Sequence, residues 1–217
     1  MRSGLFVTGT GTGVGKTAVA AALLAKWPGA GYWKPVQTGV ESDDDAATVR
    51  TLVPGARIWE RGERLPGAFS PDRSARLAGR ELTAEGLAAL APAGPGWVVE
   101  GAGGVLVPLN ARETIADLMV RLRLPVLVAA HSGLGTINHT LLTLEALRAR
   151  GLNPVGVVLV GTPDADNRAA IERFGGVPVV GEMPRFERLA AAELGAWARR
   201  DLDPLGRLEE FLKGAPG

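Results

Sequence analysis

Short apolar runs alternate along the chain with longer segments whose apolar residues recur at helical spacing. The runs predict six strands and a weaker seventh near residues 57–59; the six lie at residues 4–7, 30–33, 97–99, 125–129, 155–160 and 177–180. The other segments predict helices near residues 16–26, 44–52, 73–79, 83–91, 113–122, 136–149, 165–174, 188–199 and 204–213. This alternation is typical of βαβ units, so we predict an α/β fold with a mostly parallel central sheet of about seven strands and helices on both faces.

Residues 60–72 do not fit this alternation. They contain Pro66, Gly67 and Pro71, and we predict an irregular connection there. Right-handed crossovers bring the carboxyl ends of parallel strands to one edge of the sheet, where ligands bind in open α/β folds. The loops that follow the strands, and this connection with them, are therefore expected to lie near any site.

A glycine-rich loop at residues 9–17, GTGTGVGKT, follows the first predicted strand and precedes the first predicted helix. It ends in the Gly15-Lys16-Thr17 signature of phosphate-binding loops, with one more residue after Gly9 than the usual pattern. Glycines let backbone N–H groups turn toward an anion, and the helix that begins here directs its positive end at the same phosphates. Lys16 would contact the β- and γ-phosphates and the Thr17 hydroxyl would bind Mg²⁺. The loop predicts a nucleoside triphosphate site in a P-loop NTPase-like fold.

Lysine is rare in this chain, which makes its position informative. Four of the 24 basic residues are lysines, at positions 16, 26, 34 and 213. Lys34 follows the second predicted strand, where it would neutralise a transferring phosphoryl group and an anionic substrate. The alternative is a surface lysine at a strand end.

Carboxylates occur at two positions of interest, the start of a predicted helix and the end of a predicted strand. Asp43, Asp44 and Asp45 open a predicted helix, where an acidic first turn is favourable without any function. Three in a row exceed what a helix cap needs, and we expect one of them to contact Mg²⁺. Glu100 ends an apolar strand before the glycines of residues 101–104, where it would reach Mg²⁺ opposite Thr17, although a strand-end glutamate is also often structural.

A loop of small residues at 132–138 opens another predicted helix. The start of this helix is either an anion site or a terminus capped by Ser132 or Thr136. His139 is interpreted as a packed helix residue rather than a base.

Composition narrows the class of protein. The chain has 217 residues, 46% of them hydrophobic, a net charge of +1 and no cysteine. The small charge predicts no nucleic-acid or anionic-membrane partner, and the lack of cysteine excludes disulfides and thiolate chemistry. No long apolar span and no signal peptide are recognised, so a soluble cytoplasmic enzyme is expected.

Together the motifs resemble those of the dethiobiotin synthetase family, from the first strand to about Phe186. They are GTGTGVGKT at 9–17, YWKPVQTG at 32–39, the Asp-Ala pair at 45–46, VVEGAGG at 98–104 with a following Pro-Leu at 108–109, and LGTINHTLLTLEAL at 134–147. The resemblance implies one P-loop domain over residues 1–217. It also implies a homodimer with shared active sites.

The resemblance also implies roles for individual residues. Lys34 and Lys16 would be catalytic, and Thr17, Asp45 and Glu100 would hold Mg²⁺. The substrate would contact Lys16 together with Thr12, Thr38 and Gly103, and its carboxylate tail would bind across the dimer interface at Gly135, Thr136, Ile137 and Asn138. The nucleotide would contact Gly13, Val14, Gly15, Lys16, Thr17, Ala18, Asp45, Glu100, Gly101, Ala102, Gly103, Val160, Gly161, Pro184, Arg185 and Phe186.

Two residues depart from the family pattern. Gly13 stands where the family often has an acidic residue, so one contact to the nucleotide is expected to be lost. Val160 stands where many members carry an asparagine that reads adenine. Nucleotides other than ATP, such as CTP, are therefore also expected to be accepted.

The reaction implied by the resemblance joins CO₂ to 7,8-diaminononanoate in an ATP-dependent ring closure. One amine captures CO₂ as a carbamate, the carbamate oxygen attacks the γ-phosphate, and the second amine closes the cyclic urea as phosphate leaves. Charge stabilisation and positioning would supply the catalysis. Three alternatives stay open: an ATP-dependent amide ligase, a P-loop ATPase switch protein, and a nucleoside or shikimate-type kinase.

Overall fold

The strands form one large sheet and one small sheet. A computed structural model describes residues 4–212. The strands are β1 (Gly4–Gly9), β2 (Gly31–Trp33), β3 (Val36–Thr38), β4 (Arg57–Trp59), β5 (Glu63–Leu65), β6 (Trp97–Glu100), β7 (Val126–His131), β8 (Pro154–Val160) and β9 (Val179–Met183). Seven of them pair in the order β4-β2-β6-β1-β7-β8-β9, and β3 pairs with β5. Every pairing between these strands is parallel.

Helices connect the strands. They are α1 (Lys16–Lys26), α2 (Asp45–Leu52), α3 (Pro71–Leu77), α4 (Ala84–Ala89), α5 (Ile115–Leu122), α6 (Thr136–Arg148), α7 (Ala165–Gly175), α8 (Ala191–Asp201) and α9 (Glu209–Leu212). Across residues 4–212, no helix is both long and apolar enough to cross a lipid bilayer.

The sheet is buried on both faces because its strands are apolar at nearly every position. In β1, Leu5 and Val7 belong to one core cluster, which includes Leu23 of α1 and Leu194 of α8. Phe6 points the other way, into a cluster that includes residues of α4, α5, α6 and α7. Helices therefore cover both faces, as predicted from the alternating pattern.

The predicted seven-stranded sheet is confirmed, including the weak strand near residues 57–59. The last strand begins two residues later than predicted, because Pro178 has no N–H to donate to a sheet, and it runs on to Met183. The predicted helix at 204–213 is the short α9, and its last predicted residue, Lys213, lies outside the described residues.

The prediction of a wholly irregular connection at residues 60–72 is wrong in part. Glu63–Leu65 forms β5 beside β3, with Val36 opposite Glu63 and Thr38 opposite Leu65. Helix α3 then begins at Pro71. This small sheet holds the segment after Lys34 against the cavity described below.

Candidate active site

The glycine-rich loop leaves β1 and enters α1 through two residues with positive φ. Gly13 has φ 74° and Gly15 has φ 92°, a region that favours glycine. Gly15 is the N-cap of α1, and among the described residues no side chain caps this helix end. Its first N–H groups are thus left to bind an anion.

Lys16 is folded back over this loop. Its Nζ donates a hydrogen bond to the Gly11 carbonyl oxygen at 2.8 Å. Burial, and then repulsion from Lys34, lower the pKa of the Lys16 ammonium to about 8. A buried ammonium that donates to a neutral carbonyl and is repelled by a second lysine is well placed to gain from an incoming phosphate.

A hydroxyl and two carboxylates converge next to Lys16. The Thr17 hydroxyl donates to Asp45 Oδ1 at 2.8 Å and lies 3.0 Å from Glu100 Oε1. Asp45 comes from the first turn of α2 and Glu100 from the last residue of β6. Chain segments far apart in sequence thus bring three oxygen-bearing side chains to one point.

The structure separates the three consecutive aspartates. Asp44 is the N-cap of α2: it accepts from the N–H groups of Ala46 and Ala47 and forms an ion pair with Arg64. Asp43 lines the cavity. Of the three aspartates, Asp45 is the one that contacts Thr17.

Lys34 lies between the two carboxylates. Its Nζ is 2.5 Å from Asp45 Oδ2, 2.7 Å from Glu100 Oε1 and 3.1 Å from the Gly101 carbonyl oxygen. Burial alone would lower the pKa of Lys34, but attraction to Glu100 and Asp45 outweighs it and raises that pKa. The alternative of a solvent-facing lysine is wrong, since its side chain is 8% exposed.

The two carboxylates differ in their protonation equilibria. Complete burial raises the pKa of Glu100 despite the neighbouring Lys34. Burial also acts to raise the pKa of Asp45, but Lys34 and the Thr17 hydroxyl lower it overall. The cluster carries two carboxylates and two ammonium groups with little exposed surface, so its charges are matched in number.

Two buried polar residues that hold the cluster were given no role in the sequence analysis. Tyr32 donates its hydroxyl to Glu100 Oε2 at 2.9 Å, and burial with the nearby carboxylates raises its pKa well above the ordinary value. Gln37 accepts from the Asp45 N–H at 3.3 Å and donates to the Thr38 carbonyl at 2.9 Å. For Tyr32 the available signal was a hydroxyl inside a short apolar strand; for Gln37 the sequence offered no such signal.

The cluster of Lys16, Thr17, Lys34, Asp45 and Glu100 lines a cavity of about 640 Å³. Twelve of the residues predicted for the site line it: Thr12, Gly13, Gly15, Lys16, Thr17, Ala18, Lys34, Thr38, Asp45, Glu100, Ala102 and Gly103. Residues 68–70 before α3 and Pro71, its first residue, also line it, which agrees with the predicted position of the connection at residues 60–72. Val14 and Gly101 are buried beside the cavity rather than lining it.

Three of the five nucleotide contacts predicted near the ends of β8 and β9 line a second cavity of about 410 Å³. Val160, Gly161 and Arg185 line it, at the ends of β8 and β9. The Val160 side chain packs against Gly15, where a Cβ atom would lie only 3.1 Å from Val160 Cγ1. Pro184 and Phe186 do not line this cavity; Phe186 packs against the core.

The segment predicted to bind the carboxylate tail follows Gly133 of the second cavity but does not itself line either cavity. Gly135, Thr136, Ile137 and Asn138 line neither of them. Gly135 has φ 90° and is the N-cap of α6; within residues 4–212 no side chain caps this end, so the capping alternative is wrong. His139 is exposed rather than packed.

Fold and loop together define the class as an α/β P-loop NTPase-like protein. A family model described as an AAA domain matches residues 3–193. A ParA family ATPase from Chlorobium tepidum superposes with a TM-score of 0.56 over 91% of this chain and 99% of its own, at 10% identity. The septum site-determining protein MinD from Pyrococcus horikoshii, complexed with Mg-ADP, superposes with a TM-score of 0.55 over 91% of this chain and 95% of its own, at 15% identity. At these identities the likeness concerns the fold alone, and it confirms the predicted fold class.

Sequence relatives give the particular family. ATP-dependent dethiobiotin synthetase BioD of Paramagnetospirillum magneticum is 49% identical over 193 residues, covering 88% of this chain and 92% of the relative. The BioD of Rhodopseudomonas palustris is 44% identical over 215 residues, covering 98% of each chain. The biotin biosynthesis bifunctional protein BioCD of Bordetella avium is 48% identical over 200 residues, and the chain spans 43% of its length. The chain belongs to the dethiobiotin synthetase family, which confirms the resemblance found in the motifs.

Proposed function

We propose that this protein catalyses the ATP-dependent carboxylation and ring closure of 7,8-diaminononanoate with CO₂ to give dethiobiotin. The observation that carries the proposal is the convergence of Lys16, Thr17, Lys34, Asp45 and Glu100 in one cavity beside the glycine-rich loop. Family membership supports the substrates, because the relatives are named dethiobiotin synthetases. We further propose that residues 1–217 act as one cytoplasmic catalytic domain.

The oxygen donors suit Mg²⁺, a hard cation that binds carboxylate and hydroxyl oxygens. Thr17, Asp45 and Glu100 would hold it, since the Thr17 hydroxyl lies within 3.0 Å of both carboxylates. The Lys34 ammonium already lies between these carboxylates, so the position stabilises a positive charge. When bound, the ion would neutralise charge on the β- and γ-phosphates.

Each side chain then has a defined task. The glycine-rich loop and Lys16 bind the phosphates through N–H groups and an ammonium. Lys34 neutralises the charge that accumulates where the carbamate oxygen meets the γ-phosphate. One amine of the substrate forms the carbamate, and the second closes the ring as phosphate leaves. No covalent bond to the protein is required.

The cavity also offers surfaces for the rest of the substrate. Thr12, Thr38 and Gly103 line it on the polar side, and Val36, Phe69 and Val107 supply apolar contacts suited to an alkyl chain. We propose that the distal carboxylate binds at Gly135–Asn138 of a second copy in a homodimer, because these residues line neither cavity of their own chain.

We propose that the base occupies the second cavity, beside Val160. A valine side chain offers no hydrogen bond to a base edge, so base selectivity is expected to be weak. CTP would then support turnover to a measurable extent.

Release of ADP tests the proposed function. We expect ADP release only when ATP, Mg²⁺, bicarbonate and 7,8-diaminononanoate are all present. Release that needs ammonia or glutamine would instead indicate an amide ligase, and release without any diamine would indicate an ATPase switch. A phosphorylated small-molecule product would indicate a kinase.

A further inference from the structure

Glu100 uses its two carboxylate oxygens for different neighbours. Oε1 lies on the cavity side, 3.0 Å from the Thr17 hydroxyl and 2.7 Å from Lys34 Nζ. Oε2 accepts the Tyr32 hydroxyl at 2.9 Å. Glu100 is 1% exposed and Tyr32 is 0% exposed, so water cannot easily replace either partner.

The strand register fixes the Tyr32 hydroxyl in this position. Tyr32 of β2 is paired with Val98 of β6, and Glu100 lies two residues further along β6. Residues two apart on a strand share a face, so Tyr32 and Glu100 point to the same side of the sheet. The Tyr32 ring is packed in the core cluster that includes Val98, which leaves its hydroxyl little freedom to move.

Oε2 is turned toward Tyr32, which does not line the cavity, so Oε1 is the oxygen that faces a cation there. Single-oxygen coordination suits Mg²⁺, which is small, nearly octahedral and keeps several waters. Ca²⁺ takes six to eight oxygens and often binds a carboxylate through both. We propose that Tyr32 is a positioning residue that restricts Glu100 to single-oxygen coordination and makes the site select Mg²⁺ over Ca²⁺. The inference rests on the proposed role of Glu100 as a metal ligand.

The Tyr32→Phe variant tests the inference, because it keeps the ring and removes only the hydroxyl. Mg²⁺ and Ca²⁺ are titrated separately into the ADP-bound protein by calorimetry, and each dissociation constant is compared with that for free ADP. In the wild type we expect Mg²⁺ to bind more tightly than Ca²⁺ after this correction. In Tyr32→Phe, Oε2 is freed to bind Ca²⁺ as well, so the ratio of the Ca²⁺ to the Mg²⁺ dissociation constant is expected to fall by about tenfold, the scale on which partners of a metal ligand affect affinity.

Two further variants make the result specific. Thr140→Val removes another fully buried hydroxyl, on α6 and outside the cavity, and is expected to keep the wild-type ratio. Glu100→Gln is expected to weaken the binding of both ions. If Glu100→Gln binds Mg²⁺ as the wild type does, the proposed metal site itself is wrong.

If Glu100→Gln weakens the binding of both ions but Tyr32→Phe keeps the wild-type ratio of dissociation constants, only the role of Tyr32 is overturned. A wild type that binds Ca²⁺ as tightly as Mg²⁺ overturns that role as well. This last measurement does not depend on how well any variant folds.

Discussion

At the scale of single residues, Lys34 is the side chain with the most consequential contacts. It touches two carboxylates and a backbone carbonyl while almost fully buried. Such a cation is stabilised only while its partners remain charged. The same arrangement keeps an ammonium next to the loop that binds phosphate, where a rigid positive charge has the greatest effect on a developing negative charge.

We expect Lys34→Ala to lower kcat about 100- to 1,000-fold, the range typical of losing one preorganised group that stabilises the transition state. The Kd for ADP should change little, because the loop N–H groups and Lys16 still bind the phosphates. Steady-state kinetics and ADP titration measure the two effects. Lys26→Ala, which loses a lysine bound to the Leu202 and Asp203 carbonyls, is the control. Equal losses in kcat and in ADP affinity for Lys34→Ala would contradict the role.

The sequence alone identified twelve of the residues that line the cavity, because each followed a strand or opened a helix in a motif of known chemistry. Lys16, Thr17, Asp45 and Glu100 are examples, although their roles stay predictions. Tyr32 and Gln37 were given no role, since their importance comes from strand register and loop packing. A hydroxyl in an apolar strand cannot be matched to a carboxylate 68 residues away until the pairing of β2 with β6 is known.

At the scale of elements, the start of α1 depends on its contact with the end of β8. Gly15 has φ 92°, and a Cβ there would lie 3.1 and 3.2 Å from the two methyl carbons of Val160. The glycine therefore serves both the backbone conformation and the close approach of two elements. Val160 thus packs against the phosphate loop and also lines the second cavity.

We expect Gly15→Ala to destabilise the protein by more than the roughly 1–2 kcal/mol that a left-handed conformation costs an alanine, because Val160 must also shift. Gly13→Ala is the matched control: its φ is 74°, and no other described atom lies within 4 Å of the added Cβ. Urea unfolding measures the free energy of unfolding of both variants. Adding Val160→Ala to Gly15→Ala should restore part of the lost stability. Equal losses at Gly13 and Gly15, with no relief, would show that the contact is unimportant.

The start of α5 offers a test that depends on pH. Asp117 accepts from the Thr114 N–H at 2.7 Å and from its hydroxyl at 2.8 Å. Burial acts to raise the pKa of Asp117, but these hydrogen bonds lower it overall. A lowered pKa means that the ionised group stabilises the fold above its unfolded pKa, near 3.9. That stabilisation is lost as the pH falls through the lower folded value.

Asp117→Asn should therefore cost about 1 kcal/mol at pH 7, because it weakens the capping box that Asp117 forms with the N-cap residue Thr114. The difference from the wild type should shrink toward zero in acid, below the folded pKa. Denaturant unfolding at several pH values measures it, and Glu145→Gln on the exposed face of α6 serves as the control. A difference that stays constant down to the most acidic pH would argue against the ionised cap.

The large sheet could be predicted at this scale because its strands are apolar runs between helical segments. The small sheet could not. Its strands have three residues each, and β5 contains Glu63 and Arg64, so neither apolar alternation nor length distinguishes it from a loop. The pairing of Val36 with Glu63 arises from the fold around it.

At the scale of the whole molecule, the exposed start of α6 supports the proposed homodimer. Leu134 is fully exposed and Leu142 is 55% exposed, and they flank the Gly135–Asn138 segment. Large apolar side chains gain free energy when a partner covers them. A second copy that covers this surface could also complete the substrate site.

Light scattering should give a particle of twice the chain mass of 22.5 kDa. Leu134→Asp should produce monomers with a raised KM for the diamine, because the partner's contribution is lost. Leu205→Asp, at another exposed leucine, should remain dimeric and active. A wild type that is monomeric and fully active would exclude the shared site.

The most direct measurement follows carbon from ¹³C-bicarbonate into the product while ADP is counted. The proposed mechanism predicts one ADP released for each dethiobiotin formed, with the label in the ring carbonyl and with dependence on Lys34. ADP release without labelled ring product in the presence of all substrates would contradict it.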